Sequence, residues 1–192
     1  MTSDRIALID LDGTVADYDK SMIRYMNSIR HPDELPYEGR LLVKGKEIEP
    51  AYIEARRKMI QRMPGFWRNL DKLRMGFEVV SVLKGIGFNL HVLTKGPTSS
   101  PNAWSEKVEW CAEHLPEASV TISDDKSLVY GRILVDDWPP YFNAWLEKRP
   151  RGLVICVEHP WNKDIKHPNV IIYNDCNLYE VRQRAKEAYE RE

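Results

Sequence analysis

The chain has 192 residues, 43% hydrophobic and 30% charged, and its 29 acidic side chains against 28 basic ones leave a formal net charge of −1. That length builds one well-buried core with room for a small insertion, and so even a charge balance provides no global field to draw the protein to a long nucleic acid or an anionic membrane. The longest apolar runs, about five residues, are far too short to span a bilayer. Cys111, Cys156 and Cys176 are odd in number, widely spaced and form no C-x-x-C. That usage fits a reduced, cytoplasmic compartment, and residues 1–5 carry no signal-peptide apolar region before the first strand.

In chain order, Arg5 to Ile9 is an apolar run closed by Asp10-Leu11-Asp12-Gly13-Thr14, as expected of a buried parallel strand ending in a turn. Asp17 to Arg30 reads as a helix with Met22, Tyr25, Met26 and Ile29 on one stripe, broken by His31-Pro32. Residues 31–47, with two prolines and two glycines, read as irregular. A second helix starts near Pro50 and stops around Met63-Pro64-Gly65, and a third covers roughly 72–85 before Gly85 and Gly87. Phe88 to Leu93 is the next core strand, closing on Thr94. Helix 101–115, strand 118–123, strand 132–135, helix 141–148, strands 153–157 and 170–173, and a charged helix over 177–191 complete the alternation. This is the pattern of an α/β, doubly wound, Rossmann-like parallel sheet. The long stretch between the first two core strands exceeds one crossover helix, so residues 18–71 are expected to form a small helical cap, with 1–17 and 72–192 as the core.

Polar groups gather after three apolar strands: Asp10 and Asp12, Thr94, and Asp136 with Asp137. Ligands of open parallel sheets bind at those carboxyl ends. Buried strands ending in unneutralised acids are costly, and oxygen-only ligands suit a hard cation such as Mg²⁺. A carboxylate can attack a phosphoryl group, and a second acid two residues on can protonate the leaving alkoxide and then deprotonate water. The anionic phosphoryl group calls for a hydroxyl, which Thr94 supplies, and for ammonium groups, for which Lys95, Lys107 and Lys126 are available. The five histidines lack ligand spacing and receive no role; Trp161, with His159 and Lys163, lies on a loop long enough to reach the site.

Asp10-Leu11-Asp12-Gly13-Thr14 resembles D-x-D-G-[TV], the first motif of the haloacid-dehalogenase-like phosphohydrolases. Thr94 resembles their second motif and Asp136-Asp137 the acidic fourth. Within that superfamily, Asp10 to Tyr18, Pro64-Gly65-Phe66-Trp67 with Leu70, Glu106 to Leu115, Asp125-Lys126-Ser127 and Leu134 to Pro139 resemble the 5′(3′)-deoxyribonucleotidases. The resemblance covers most of residues 5–140 and is patchy over 19–62. It implies a Mg²⁺-dependent phosphomonoesterase acting on a nucleoside monophosphate, with Asp10 as nucleophile and metal ligand and Asp12 as general acid/base, its backbone carbonyl on the metal. Asp137 would ligate the metal directly and Asp136 support it. Thr94, Lys126 and neighbouring Lys107 would hold the phosphate, while Tyr18, Phe66 and Trp67 would line the substrate.

Three departures stand out. Lys95-Gly96-Pro97 follows Thr94 where the family has Ser-Pro, Trp138 replaces an arginine, and residues 31–63 do not match the family's cap. A nucleic-acid 3′-end phosphatase, a sugar phosphatase and a non-catalytic binding module retaining the fold are the alternatives. Whether the chain forms a homodimer is left open.

Overall fold

The computed structural model describes residues 5–39, 42–43, 46–47 and 49–191. From the N-terminus the elements are β1 (Ile6–Ile9), α1 (Tyr18–Ser28), a short antiparallel pair β2 (Leu42–Val43) and β3 (Lys46–Glu47), α2 (Ala51–Gln61), α3 (Arg74–Ile86) and β4 (Asn89–Thr94). There follow α4 (Asn102–His114), β5 (Ser119–Ile122), a 3-10 turn (Lys126–Leu128), β6 (Ile133–Val135), α5 (Pro139–Lys148), β7 (Leu153–Val157), β8 (Val170–Tyr173) and α6 (Leu178–Glu190). The α/β alternation read from the sequence is the one observed. Two details differ. Residues 31–47 include the antiparallel β2/β3 pair instead of being wholly irregular, and α1 stops at Ser28, leaving Ile29 partly exposed at its end instead of on the buried stripe.

Six strands form one parallel sheet in the order β5-β4-β1-β6-β7-β8. The chain winds from β1 outward through β4 and β5, then returns to the other side of β1 for β6, so the switch of direction lies beside β1. The crevice of an open α/β sheet is expected at that point. Side chains alternate between the faces, as the two-residue period of a strand requires. Ala7, Ile9, Ile133, Val135 and Ile155 pack with Val79, Val80 and Leu83 of α3 and with Val181, Ala185 and Ala188 of α6. Leu8, Leu134, Val154 and Cys156 face the opposite way, onto Phe142 and Trp145 of α5. All five residues of β7 are buried, so the interior strands read as continuous apolar runs.

Register carries the fold into the site. Ile9 pairs with Val92 on one side and Val135 on the other, and the Asp10 amide donates to the Val135 carbonyl at 2.8 Å. The acids at 10 and 136 are therefore neighbours by strand pairing, before any side chain chooses a rotamer. Among the described residues no helix is long and apolar enough to cross a membrane.

Candidate active site

After β1 the backbone folds into a tight turn in which the Leu11 carbonyl accepts from the amides of Thr14, Val15 and Ala16. Gly13 occupies the left-handed region at φ 77°, where side-chain-bearing residues are strained. A Cβ there would also lie 2.8 Å from Asp137 Oδ2. Glycine thus lets the Asp10–Thr14 turn close onto the acidic pair after β6. The Thr14 hydroxyl completes the junction, donating to Asp137 Oδ1 at 3.1 Å. Asp17 then caps α1, accepting from the Lys20 amide at 3.1 Å.

Two buried lysines organise the acids. Lys126, carried on the 3-10 turn, places Nζ 2.7 Å from Asp10 Oδ1 and 2.7 Å from Asp136 Oδ2. Asp125 fixes that turn, its carboxylate accepting from the Ser127 amide at 2.9 Å. Lys107, on α4, reaches Asp12 Oδ2 at 2.5 Å, Thr94 Oγ1 at 3.1 Å and the Lys95 carbonyl at 2.7 Å. Lys126 is held by two acids and Lys107 by one acid and two further oxygens, which is what permits their burial. The two acids of the first motif consequently have separate environments: Asp10 belongs to the Lys126 cluster and Asp12 to the Lys107 cluster.

Burial raises the Asp12 carboxyl above its ordinary value, Lys107 opposes this, and Asp10 pushes it further up. Its Oδ1 is buried without a hydrogen-bond partner. Burial likewise raises Asp136, against Lys126 and with the help of Asp10 and Asp137. Lys126 is raised in turn, the acids Asp10 and Asp136 outweighing the burial that lowers it.

Carboxylate oxygens of Asp10, Asp136 and Asp137 lie within 4.8 Å of one another. Lys126 neutralises one of these three charges, and the remainder matches a divalent cation held by oxygen ligands. Both Asp136 oxygens are engaged, Oδ2 by Lys126 and Oδ1 by the Trp138 amide at 2.9 Å. The residues present therefore fit a hard metal ion, with Asp10 and Asp137 better placed than Asp136 to ligate it. The Asp12 carboxylate stands outside this set and faces Lys107.

A cavity of about 450 Å³ opens over these groups, within the size range of small-ligand sites. Asp10, Asp12, Lys107, Lys126 and Asp137 form its floor; Tyr18, Trp67, Lys95 and Tyr141 are among its walls. Tyr18 and Trp67 stack with ring centres 5.6 Å apart, and Lys107 Nζ lies 4.7 Å above the Trp67 ring. Phe66 is a correction to the sequence reading. It is only 1% exposed and packs edge-on against Tyr18, Tyr25 and Trp67, so it backs the aromatic wall from the core and does not line the cavity. Thr94 is equally buried, its hydroxyl turned to Lys107.

Several residues escaped the sequence reading. Arg57, Lys58 and Gln61 of α2 reach the cavity from a segment whose motifs do not stand out in the sequence, and Gln61 donates to the Tyr18 hydroxyl at 2.8 Å. The three share a helix face, a signal that was legible only once α2 was known to point at the site. The loop after β7, long enough in the sequence to reach the site, does close on it, through contacts that the sequence did not give. His159 Nε2 lies 2.6 Å from the Gly13 carbonyl, and the Asp137 carbonyl accepts from Trp161 Nε1 at 3.1 Å and Asn162 Nδ2 at 2.9 Å. The His159 and Trp161 rings stack at 4.3 Å. Nothing in the spacing of those residues marks them. Glu106, beside Lys107, is buried and accepts from the amides of Gly65, Trp67 and Arg68 at 2.6, 3.0 and 3.4 Å.

Comparison with known proteins gives a family match over nearly the whole chain. The profile of the 5′ nucleotidase, deoxy (pyrimidine), cytosolic type C family matches residues 4–186. A Bordetella pertussis protein provisionally named a 5′(3′)-deoxyribonucleotidase is 29% identical over 164 residues, covering 83% of this chain and 86% of that protein. A Staphylococcus epidermidis protein of the same provisional name is 29% identical over 142 residues, or 72% and 76% of the two chains.

Proposed function

The chain belongs to the cytosolic type C 5′ nucleotidase family of phosphoric monoester hydrolases, and from that membership we propose that it hydrolyses nucleoside monophosphates through an aspartyl-phosphate on Asp10, in the cytoplasm. The observation that carries the reading is the division of the two first-motif acids between two buried lysines.

Asp10 and Asp137, with the Asp12 backbone carbonyl, would hold Mg²⁺ and Asp136 would support them; bound there, the ion supplies positive charge to the phosphoryl oxygens. Asp10 attacks phosphorus and the bond to the sugar oxygen breaks. Lys126 fixes the Asp10 carboxylate in place, and together with Lys107, Thr94 and Lys95 it provides the donors that receive the anionic oxygens. Asp12, its carboxyl raised by burial, gives its proton to the departing oxygen. It then takes a proton from the water that attacks the aspartyl-phosphate, which frees Asp10 and releases phosphate. Tyr18 and Trp67 offer aromatic faces beside the phosphate end of the cavity, suited to a flat base. Residues 18–71 act as the cap that carries most of this wall.

The test is a panel of nucleoside 5′- and 3′-monophosphates, sugar phosphates and end-phosphorylated oligonucleotides, with and without EDTA. We expect turnover of nucleoside monophosphates, its loss with EDTA, and its loss in Asp10→Asn. Wild-type turnover by Asp10→Asn would refute the covalent step, and a preference for sugar phosphates or oligonucleotide ends would refute the substrate class.

A further inference from the structure

One residue at the end of α2 ties together three of the segments that wall the catalytic cavity. The helix is exposed or half-buried along most of its length, and Ile60, in its last turn, is its one buried residue. Gln61 closes the helix, so its carbonyl finds no partner within it. That carbonyl accepts instead from Trp67 Nε1 and from Ser100 Oγ, each at 2.8 Å. The Gln61 side chain donates from Nε2 to the Tyr18 hydroxyl at 2.8 Å. Ser100 is buried, and its amide donates at 3.2 Å to the carbonyl of Pro97, a residue of the cavity wall. Arg62 Nε adds a bond to the Ser99 carbonyl at 3.1 Å. The start of α1, the turn bearing Trp67 and the loop after β4 thus all meet at Gln61 and its neighbour.

Two of these bonds act on the two stacked rings. Tyr18 is packed edge-on by Phe66 and face-on by Trp67. Dispersion contacts of that kind decide where a ring lies but tolerate a small swing of it, whereas a directional hydrogen bond at the far hydroxyl removes the swing. The Trp67 indole is held at its own N–H by the carbonyl of the same residue. The stack therefore has one anchor for both rings, and that anchor itself lines the cavity. A base gains most from a face whose orientation is fixed before it arrives, because ordering the wall on binding subtracts from affinity. None of the bonds made by Gln61 reaches Asp10, Asp12, Lys107 or Lys126. We propose that Gln61 is a positioning residue for nucleotide recognition: through the Tyr18 hydroxyl it holds the aromatic wall in the orientation that accepts a base, while the phosphate end of the cavity does not depend on it. The inference rests on the nucleotidase reading of the site and adds the residue that makes its wall selective for a base.

Gln61→Met removes the side-chain donor, keeps the length and helix propensity of the residue, and leaves the carbonyl bonds to Trp67 and Ser100 in place. Tyr18→Phe removes the same bond from the other side and keeps the ring, so it carries the test should Gln61→Met not fold. Steady-state kinetics of the full chain on a nucleoside 5′-monophosphate, with Mg²⁺ in the buffer, report on the whole cavity; the inhibition constant of inorganic phosphate reports on its phosphate end alone. In Gln61→Met we expect KM to rise about fivefold, the size of one neutral hydrogen bond, with kcat changing less than about twofold and the phosphate constant unchanged. Tyr18→Phe should raise KM similarly, and the double variant should be no worse than the poorer single one, since both remove one bond. An unchanged KM in either single variant, single effects that multiply in the double variant, or a phosphate constant that rises in step with KM would overturn the proposal. Failure of the nucleotidase reading is distinguishable from these outcomes, because it shows in the wild type alone, as absence of turnover of every nucleoside monophosphate, and overturns both.

Discussion

Replacing Glu106 should damage the substrate wall and the phosphate end together, although this residue touches neither reacting atoms nor, in the proposed mechanism, substrate. Its carboxylate is buried and gathers the amides of Gly65, Trp67 and Arg68, the turn that presents Trp67 to the cavity. Its backbone neighbour Lys107 holds Asp12 and Thr94. The Gly65 and Trp67 contacts, at 2.6 and 3.0 Å, are the strong ones. Glu106→Ala orphans two buried donors at about 1–3 kcal/mol each, offset in part because no carboxylate is then buried, so a net loss of about 3 kcal/mol is expected. Glu106→Gln keeps one acceptor and turns an NH₂ group toward the other donor, for about 2 kcal/mol. Urea unfolding followed by circular dichroism reads this directly. With a slope of about 2–3 kcal/mol/M, the midpoint of Glu106→Ala should drop by about 1 M. Steady-state kinetics on a nucleoside monophosphate should show KM raised about tenfold or more in Glu106→Gln, with a smaller fall in kcat, because the wall loosens while Asp10 and Lys126 stay in place. A midpoint within 0.2 M of wild type together with an unchanged KM, both about the error of such measurements, would falsify the assignment of Glu106 as a positioning residue.

Gly13→Ala places a methyl against the Asp137 carboxylate in a left-handed turn, so hydrolysis should fall at least about a hundredfold, and divalent-ion binding measured by calorimetry should weaken with it. Lys126→Met leaves Asp10 and Asp136 without their shared ammonium; loss of about 3–5 kcal/mol is expected when one partner of a buried pair is removed, and a thermal melt unchanged from wild type would contradict the pairing. Burial pushes the Cys111 thiol up to about 11 and raises Cys156 as well, whereas Cys176 is exposed. At neutral pH one thiol should therefore react rapidly with a disulfide reagent in the native protein and three after denaturation, since the thiolate is the reactive form. The hydrogen bonds from Arg56 hold the Glu34 carboxyl at about 2, below its ordinary 4.5. A depressed acid stabilises the fold above its unfolded value and loses that contribution as pH falls from about 4.5 toward 2. Glu34→Gln should accordingly flatten the acid limb of the unfolding midpoint against pH over that window, and an identical limb would exclude the link between residues 31–35 and α2.

The parts of this molecule that could be read from the chain are those governed by short-range pattern. Largely apolar segments of three to six residues ending in acids or a threonine identify buried parallel strands and their functional ends at once, because burial on both faces and chemistry at the carboxyl edge are imposed by the sheet itself. Asp10, Asp12, Thr94 and the 136–137 pair were therefore accessible. Lys107 and Lys126 were visible as basic residues in suggestive places, but their division of labour was not. Which acid a lysine neutralises depends on where α4 and the 3-10 turn stand over the sheet, and sequence spacing carries no such information. Phe66 and Trp67 make the same point more sharply. Adjacent aromatics after Pro64-Gly65 look equivalent in the chain, yet only Trp67 faces the cavity. Gly65 takes a left-handed φ of 85°, and the Glu106 carboxylate fixes the following amides so that one ring is turned inward and the other outward. The loop bearing His159, Trp161 and Asn162 was legible as one long enough to reach the site, but the contacts it makes there were not, for a related reason. It contributes chiefly hydrogen bonds to carbonyls of Gly13 and Asp137, and a carbonyl recognises any donor that geometry delivers. Such contacts leave almost no constraint on residue type, so their importance emerges only when the two backbone segments they join are seen to carry the acids.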